Sequence, residues 1–259
     1  ALPGLTNRIL GRFVKSVFLS FDETVRFFAR GKTHVLGNPI RRALLDNFLK
    51  PSIAHDKFTV LIFGGSLGAR GLNARVVDAL THLTAEKDSL RLVHQTGKAD
   101  LETVKQGYEG KGFDADVREF IDDMSAAYLG SDLVVCRAGA TTIAELTTCK
   151  KASILVPFPF ATDDHQAVNA KALVDAGAAL MFREGELTGQ KLAAAIVELK
   201  HDRARLTKME KAAGTLGRPE ASREIADVLQ QLCLAKFGAL TGQKREGEPL
   251  RPKTKETRP

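Results

Sequence analysis

Apolar residues follow two rhythms in this chain, and the rhythms take turns. Short unbroken runs such as Val60-Leu61-Ile62-Phe63 and Ile154-Leu155-Val156 show no polar alternation, the mark of strands covered on both faces. Between them lie longer stretches in which apolar positions return at the helical period. The first rhythm predicts strands at Val17–Ser20, His34–Leu36, Thr59–Phe63, Arg91–Gln95, Val117–Phe120, Leu133–Cys136, Ser153–Val156 and Ala178–Phe182. The second predicts helices at Leu5–Lys15, Arg41–Leu49, Ala69–Thr84, Leu101–Tyr108, Met124–Ser131, Thr141–Thr148, His165–Ala176, Gly189–Lys200, Arg203–Ala212 and Ser222–Leu234. Such alternation implies an α/β fold with a doubly wound, Rossmann-like parallel sheet, whose ligands lie outside the carboxyl ends of the strands.

Two stretches stand apart. Residues 1–36, before the break at Gly37-Asn38-Pro39, hold one helix and two strands. That is too little for an independent domain, so they read as the end of one whose beginning would precede Ala1. Residues 37–234 carry the alternation, and residues 235–259 lose it in favour of Lys, Arg, Glu, Pro and Gly, the composition of a disordered basic tail.

Candidate chemistry gathers where strands turn into helices. The run from Val135 to Leu146 passes from an apolar strand through Gly139-Ala140 straight into a helix. The first N–H groups of a helix have no intrahelical partners and carry about half a positive charge, so an anion can settle there. Glu145 lies four to five residues inside, too deep to cap the helix and well placed to accept hydrogen bonds from a sugar diol. A second junction, Gly64-Gly65-Ser66-Leu67-Gly68-Ala69, either cradles phosphate with the Ser66 hydroxyl or simply makes a tight connection. The strand after it ends in His94-Gln95-Thr96-Gly97-Lys98 without the acid a dinucleotide fingerprint needs, which disfavours NAD.

After the Ser153–Val156 strand, Gln166 and Asn169 share a helix face from which both amides can read sugar hydroxyls. In the same loop Asp163 or Asp164 can cap the helix, and His165 has no second histidine nearby to suggest a metal. Arg41 follows the Gly37–Ile40 linker and either swings over a cleft or stands solvated. Leu5, Ile9, Leu10, Phe13, Val14 and Val17, interspersed with Arg8, Arg12 and Lys15, form a basic amphipathic helix. It is either a surface helix of its parent domain or a membrane-surface contact.

Composition narrows the classes. At 259 residues and 44% hydrophobic, the chain can bury a sizeable core. No run approaches the roughly 18–20 apolar residues of a membrane span, and no secretory leader is visible, so the chain reads as soluble or as touching a membrane from one side. Cys136, Cys149 and Cys233 show neither CxxC pairing nor ligand spacing and read as free buried thiols of a reducing compartment. Of the net charge of +7, residues 236–259 carry +4, so no general nucleic-acid footprint follows.

Six segments in one order then carry a resemblance: Pro3-Gly4-Leu5-Thr6-Asn7, Gly37-Asn38-Pro39-Ile40-Arg41, Gly64–Ala69, Glu119-Phe120-Ile121-Asp122-Asp123-Met124, Cys136–Glu145 and His165-Gln166-Ala167-Val168-Asn169-Ala170. From residue 1 to about 234 the chain resembles the MurG family of peptidoglycan glycosyltransferases. That resemblance implies a GT-B fold, two Rossmann-like domains facing a cleft. It implies inverting transfer of N-acetylglucosamine from UDP-N-acetylglucosamine to the 4-hydroxyl of the muramyl sugar of lipid I, giving lipid II. Carried over by position, Arg41 and Ser66 would meet the diphosphate, Ile121 the uracil through its backbone, and Ala140, Thr141 and Thr142 the donor at the helix start. Glu145 would hold the ribose, and Gln166 with His165 the N-acetylglucosamine. The resemblance further implies no metal or other cofactor and a cytoplasmic location, peripheral on the inner face of the bacterial plasma membrane. The acceptor surface and general base would lie in a domain preceding Ala1, leaving this chain to bind donor only. One departure stands out: the family commonly has Gly and Pro where this chain has Lys150 and Ala152. Rival readings are another GT-B enzyme, an epimerase or a glycolipid glucosyltransferase, and a non-catalytic UDP-sugar-binding module.

Overall fold

The structure, a computed structural model, describes residues 3–48 and 56–241. Two compact units divide it, Ala1–Ala221 and Ser222 onward. In the first, helix α1 (Leu5–Phe13) leads to strands β1 (Val17–Leu19) and β2 (Thr33–Val35), which pair in parallel around a 3₁₀ segment, Asp22–Phe27. After α2 (Arg42–Phe48) comes the main alternation: β3 (Phe58–Phe63), α3 (Arg70–His82), β4 (Leu90–Gln95), α4 (Leu101–Tyr108), β5 (Asp114–Arg118), α5 (Met124–Leu129), β6 (Leu133–Cys136), α6 (Ala140–Thr148), β7 (Ser153–Leu155), α7 (His165–Asp175), β8 (Ala179–Met181), α8 (Gly189–His201) and α9 (Arg203–Leu216). The second unit is described through helix α10 (Ala221–Thr241). No helix among the described residues is long and apolar enough to cross a membrane.

Strands β3 to β8 form one parallel sheet in the order β5-β4-β3-β6-β7-β8. This is the doubly wound order, with its reversal between β3 and β6. Because side chains alternate along a strand, Val60 and Ile62 of β3 face α3, α4 and α8, whereas Leu61 and Phe63 face α5, α6 and α7. Both faces are therefore sealed, which is why β3 and β6 carry no polar alternation.

Several boundaries differ from the sequence expectation: α1 stops at Phe13 instead of Lys15, α9 runs to Leu216 instead of Ala212, and three others have a readable cause. β5 spans Asp114–Arg118 instead of Val117–Phe120. As an edge strand it tolerates charged residues, Asp114 pairing with Lys57 and Arg91, while Phe120 leaves the sheet half-exposed. α3 stops at His82 and a separate 3₁₀ turn, Thr84–Ser89, follows. α10 runs on to Thr241, so the first residues of the expected tail are helical. Ala235, Ala239 and Leu240 favour that continuation. Residues 242–259 of the tail, and Leu49 of the expected second helix, lie outside the described residues. Cys136 and Cys149 are buried as expected, but Cys233 is exposed.

Candidate functional site

The reversal of strand order brings two strand-to-helix corners side by side. β3 turns through Gly64–Ala69 into α3, and β6 turns through Arg137–Gly139 into α6. At the first corner the Gly68 N–H donates to the Gly65 carbonyl at 2.9 Å, closing a tight turn. Gly68 has φ +78°, and a Cβ there would collide with the Thr96 carbonyl. Only glycine allows the turn to seat against the end of β4. At the second corner Gly139 precedes Ala140, and no side chain caps α6. Its first N–H groups are thus left to a partner from outside the helix.

Between the corners lies a cleft of about 230 Å³ lined by Arg41, Ser66, Ile121, Thr142 and Glu145. Five of the nine residues expected from sequence therefore share one space. Glu145 is partly buried and accepts a hydrogen bond from the Tyr128 hydroxyl at 3.1 Å. Burial raises its pKa, while the Tyr128 bond and the charge of Arg41 pull it down. Tyr128 is fully buried, which with the nearby Glu145 charge lifts its own pKa well above the usual range and keeps it a donor. Ile121 is buried and its N–H donates to Oε1 of Gln95 at 3.2 Å, while Nε2 of Gln95 donates to the Gly65 carbonyl at 2.9 Å. The sequence reading gives neither Tyr128 nor Gln95 a role at the site.

The other four expected residues are not among those lining this cleft. Thr141 is exposed at the start of α6, where its hydroxyl accepts from Nδ2 of Asn38 at 3.3 Å. Ala140 opens onto a second hollow of about 250 Å³ on the far flank of α6, with Phe21, Ile143, Ala172 and Leu216. His165 begins α7 and holds the Thr162 carbonyl with Nδ1 at 2.6 Å. Gln166 reaches the second corner: its Oε1 accepts from the N–H groups of Ala138 at 3.2 Å and Phe158 at 3.0 Å. Its oxygen is thus engaged, and Nε2 is the atom with capacity for a further partner.

Two sequence readings need correction here. Asn169 is not presented to a ligand; it is buried, and its Nδ2 donates to the Ala138 carbonyl at 3.0 Å. The two amides one helical turn apart grip both backbone groups of Ala138. Nor do the aspartates cap α7. Asp163 and Asp164 both have φ near +50°, and the Asp164 carboxylate pairs with Arg183 at 2.7 Å.

Arg137, also given no role by the sequence reading, braces the second corner from behind. It is buried, donates through Nη1 to the carbonyls of Val156 and Pro157 at 3.1 Å each, and forms an ion pair with Glu184. The loops after β7 and β8 are thereby tied to the end of β6. These partners offset the desolvation of the buried guanidinium, and removing one of them strands a charge. Among the described residues no three His, Cys, Asp or Glu side chains gather as a metal would require.

Comparison with known proteins adds the wider context. The model of the glycosyltransferase family 28 C-terminal domain matches residues 59–231. A UDP-N-acetylglucosamine--N-acetylmuramyl-(pentapeptide) pyrophosphoryl-undecaprenol N-acetylglucosamine transferase of Myxococcus xanthus is 64% identical over 92% of this chain and 62% of its own length. A protein of the same name from Anaeromyxobacter is 55% identical over 97% of this chain and 66% of its own. The chain thus spans a little under two thirds of these relatives. Among solved structures, Acinetobacter baumannii MurG superposes with a TM-score of 0.74 at 34% identity, covering 89% of this chain and 64% of that one. A UDP-GlcNAc 2-epimerase from Neisseria meningitidis, bound to UDP-GlcNAc, superposes at 0.64 with 14% identity over 86% of this chain and 63% of its own, which speaks to the fold alone.

Proposed function

The chain belongs to glycosyltransferase family 28 through that family's C-terminal domain, and on this premise we propose that its cleft binds UDP-N-acetylglucosamine as the donor for transfer to a lipid-linked muramyl acceptor. One observation carries the reading: Glu145 and Arg41 meet the Ser66 corner and the α6 start around a single cleft at the point of sheet reversal. Ligands of open α/β sheets sit there.

The proposed roles follow from the donor's chemistry. The uncapped start of α6, from Ala140 to Thr142, with Ser66 and Arg41, receives the diphosphate and stabilises the negative charge that develops as UDP leaves. No metal is assigned to that task. The Glu145 carboxylate accepts hydrogen bonds from the ribose diol. Ile121 offers its backbone to the uracil. Gln166, through Nε2, and His165 face the N-acetylglucosamine. Attack by the 4-hydroxyl of the muramyl sugar of lipid I on C1 of the donor inverts the anomeric centre and yields lipid II. Deprotonation of that hydroxyl and the acceptor surface are assigned to the portion of the relatives' length that this chain does not span. The relatives' names specify an undecaprenol-linked acceptor, so we place the reaction at the inner face of the plasma membrane, the enzyme bound peripherally.

Glu145→Ala tests the assignment. A hydrogen bond to a charged group contributes roughly 1.5–3 kcal/mol, so the variant should bind UDP-N-acetylglucosamine about 10- to 100-fold more weakly by calorimetry. Unchanged affinity in a folded variant would remove the ribose role.

A further inference from the structure

Gln95 stands between the two ends of the cleft. On the donor reading above, on which this inference rests, Ile121 belongs to the base end and the Gly64–Ser66 corner to the diphosphate end. Gln95 closes β4 and is only 3% exposed. Its amide has one permissible orientation. The Ile121 nitrogen can only donate and the Gly65 carbonyl can only accept, so Oε1 must face the first and Nε2 the second. The Gly65 carbonyl then uses both lone pairs, one for the Gly68 N–H that closes the corner and one for Gln95, each at 2.9 Å. A single buried side chain therefore fixes the base-side backbone and the phosphate-side turn relative to each other.

We propose that Gln95 is a positioning residue that sets the span between the base and diphosphate ends, so that a uridine diphosphate engages both at once. Two linked groups bind far better together than apart only when the spacing of their subsites matches the linker. A loss of the Gln95 strap leaves each subsite usable and spoils their registration. A neutral amide is required for this. A carboxylate at position 95 still accepts from Ile121 but faces the Gly65 carbonyl with no donor and adds negative charge beside the diphosphate.

The test compares UDP with uridine on the 259-residue chain, using calorimetry for UDP and ligand-observed NMR for uridine. In Gln95→Met, which keeps the length of the side chain, the UDP Kd should rise about 10-fold while the uridine Kd moves less than about 2-fold. Gln95→Glu should show the same split with a larger effect on UDP. If Gln95→Met does not fold, Gln95→Glu carries the comparison alone. Thermal melting of each variant accompanies the titrations, because a merely structural residue lowers the melting temperature without changing the ratio of the two affinities. An unchanged ratio in a folded variant overturns the proposal. Failure of the unaltered chain to bind UDP overturns the donor reading itself, and the inference with it.

Discussion

Glu145 can accept from both hydroxyls of a diol, and most strongly, while it is ionised, and its surroundings work against ionisation. Burial raises its pKa above the ordinary carboxylate value of 4.5, and the Tyr128 hydroxyl is the main force holding it down. On the proposed ribose role the sign follows directly: affinity for UDP-N-acetylglucosamine should be full above the folded pKa and decline as pH falls through it. That decline should begin at a higher pH than an ordinary carboxylate would give. Tyr128→Phe removes the lowering contact, so the decline should shift further upward. Calorimetric titrations between about pH 8 and pH 5, with the diphosphate diester as ligand so that no phosphate titrates in the window, read this directly. A downward shift in Tyr128→Phe would contradict the assignment. Glu145 was legible in the sequence because its distance from the helix start is local arithmetic. Tyr128 was not, since α5 reaches Glu145 only by packing.

The end of α6 shows how a helix terminates at some cost. The Lys151 N–H donates to the Leu146 carbonyl at 2.9 Å and the Lys150 N–H to the Thr147 carbonyl at 3.2 Å, the paired bonds of a Schellman ending. The residue between cap and exit must be left-handed, and here it is Lys150, with φ +50°. A residue bearing a Cβ is strained there by about 1–2 kcal/mol. Part of this is offset by the extra unfolded-state freedom that glycine brings. Lys150→Gly should therefore stabilise the protein by about 0.5–1 kcal/mol, read as a raised denaturation midpoint with an unchanged slope. A lowered midpoint would show that the lysine stem, lying against Gly214, packs to more effect than the strain opposes. The glycine common in the resembling family at this position has its physical reason in that backbone angle. Edge strand β5 was misplaced for a different cause: Val117 signals a strand, but the start at Asp114 depends on ion pairs with Lys57 and Arg91 that periodicity does not register.

Behind the glycine corner, a polar network makes folding of the whole sheet sensitive to acid. His94 is fully buried between Asn73 and Tyr108. Both amide protons of Asn73 are directed elsewhere, to the Thr96 carbonyl and to Asp100, each at 2.9 Å. Its oxygen must therefore accept from Nε2–H of His94, which leaves Nδ1 to accept from the Tyr108 hydroxyl. The imidazole is held neutral, with its pKa depressed by burial from 6.5 to about 3. A depressed folded pKa means that the unfolded chain takes up a proton first on acidification. The stability is present above about pH 6.5 and is lost toward pH 3, at up to about 1.4 kcal/mol per pH unit. His94→Gln should be less stable at pH 7 but show a flatter stability profile between pH 6.5 and 4, measured by denaturant midpoints. Parallel profiles would exclude His94 as the source. Because Thr96 also seats Gly68, acid should loosen the Gly64–Ala69 corner as the network opens.

Strand and helix identity, the doubly wound architecture and the two glycine-bearing corners were dictated by local features: runs of apolar residues, small residues at turns, and the offset of Glu145 from a helix start. Such features involve neighbours in the chain, so they can be read from order alone. Which side chains serve the cleft and which serve the scaffold was settled by packing. Gln166 and Asn169 look equivalent in sequence, yet the packing of α7 against the end of β6 buries Asn169 and leaves Gln166 partly exposed. Gln95, Tyr128 and Arg137 acquired their roles because strands distant in the chain end side by side, and a buried polar group takes whatever partner that juxtaposition supplies.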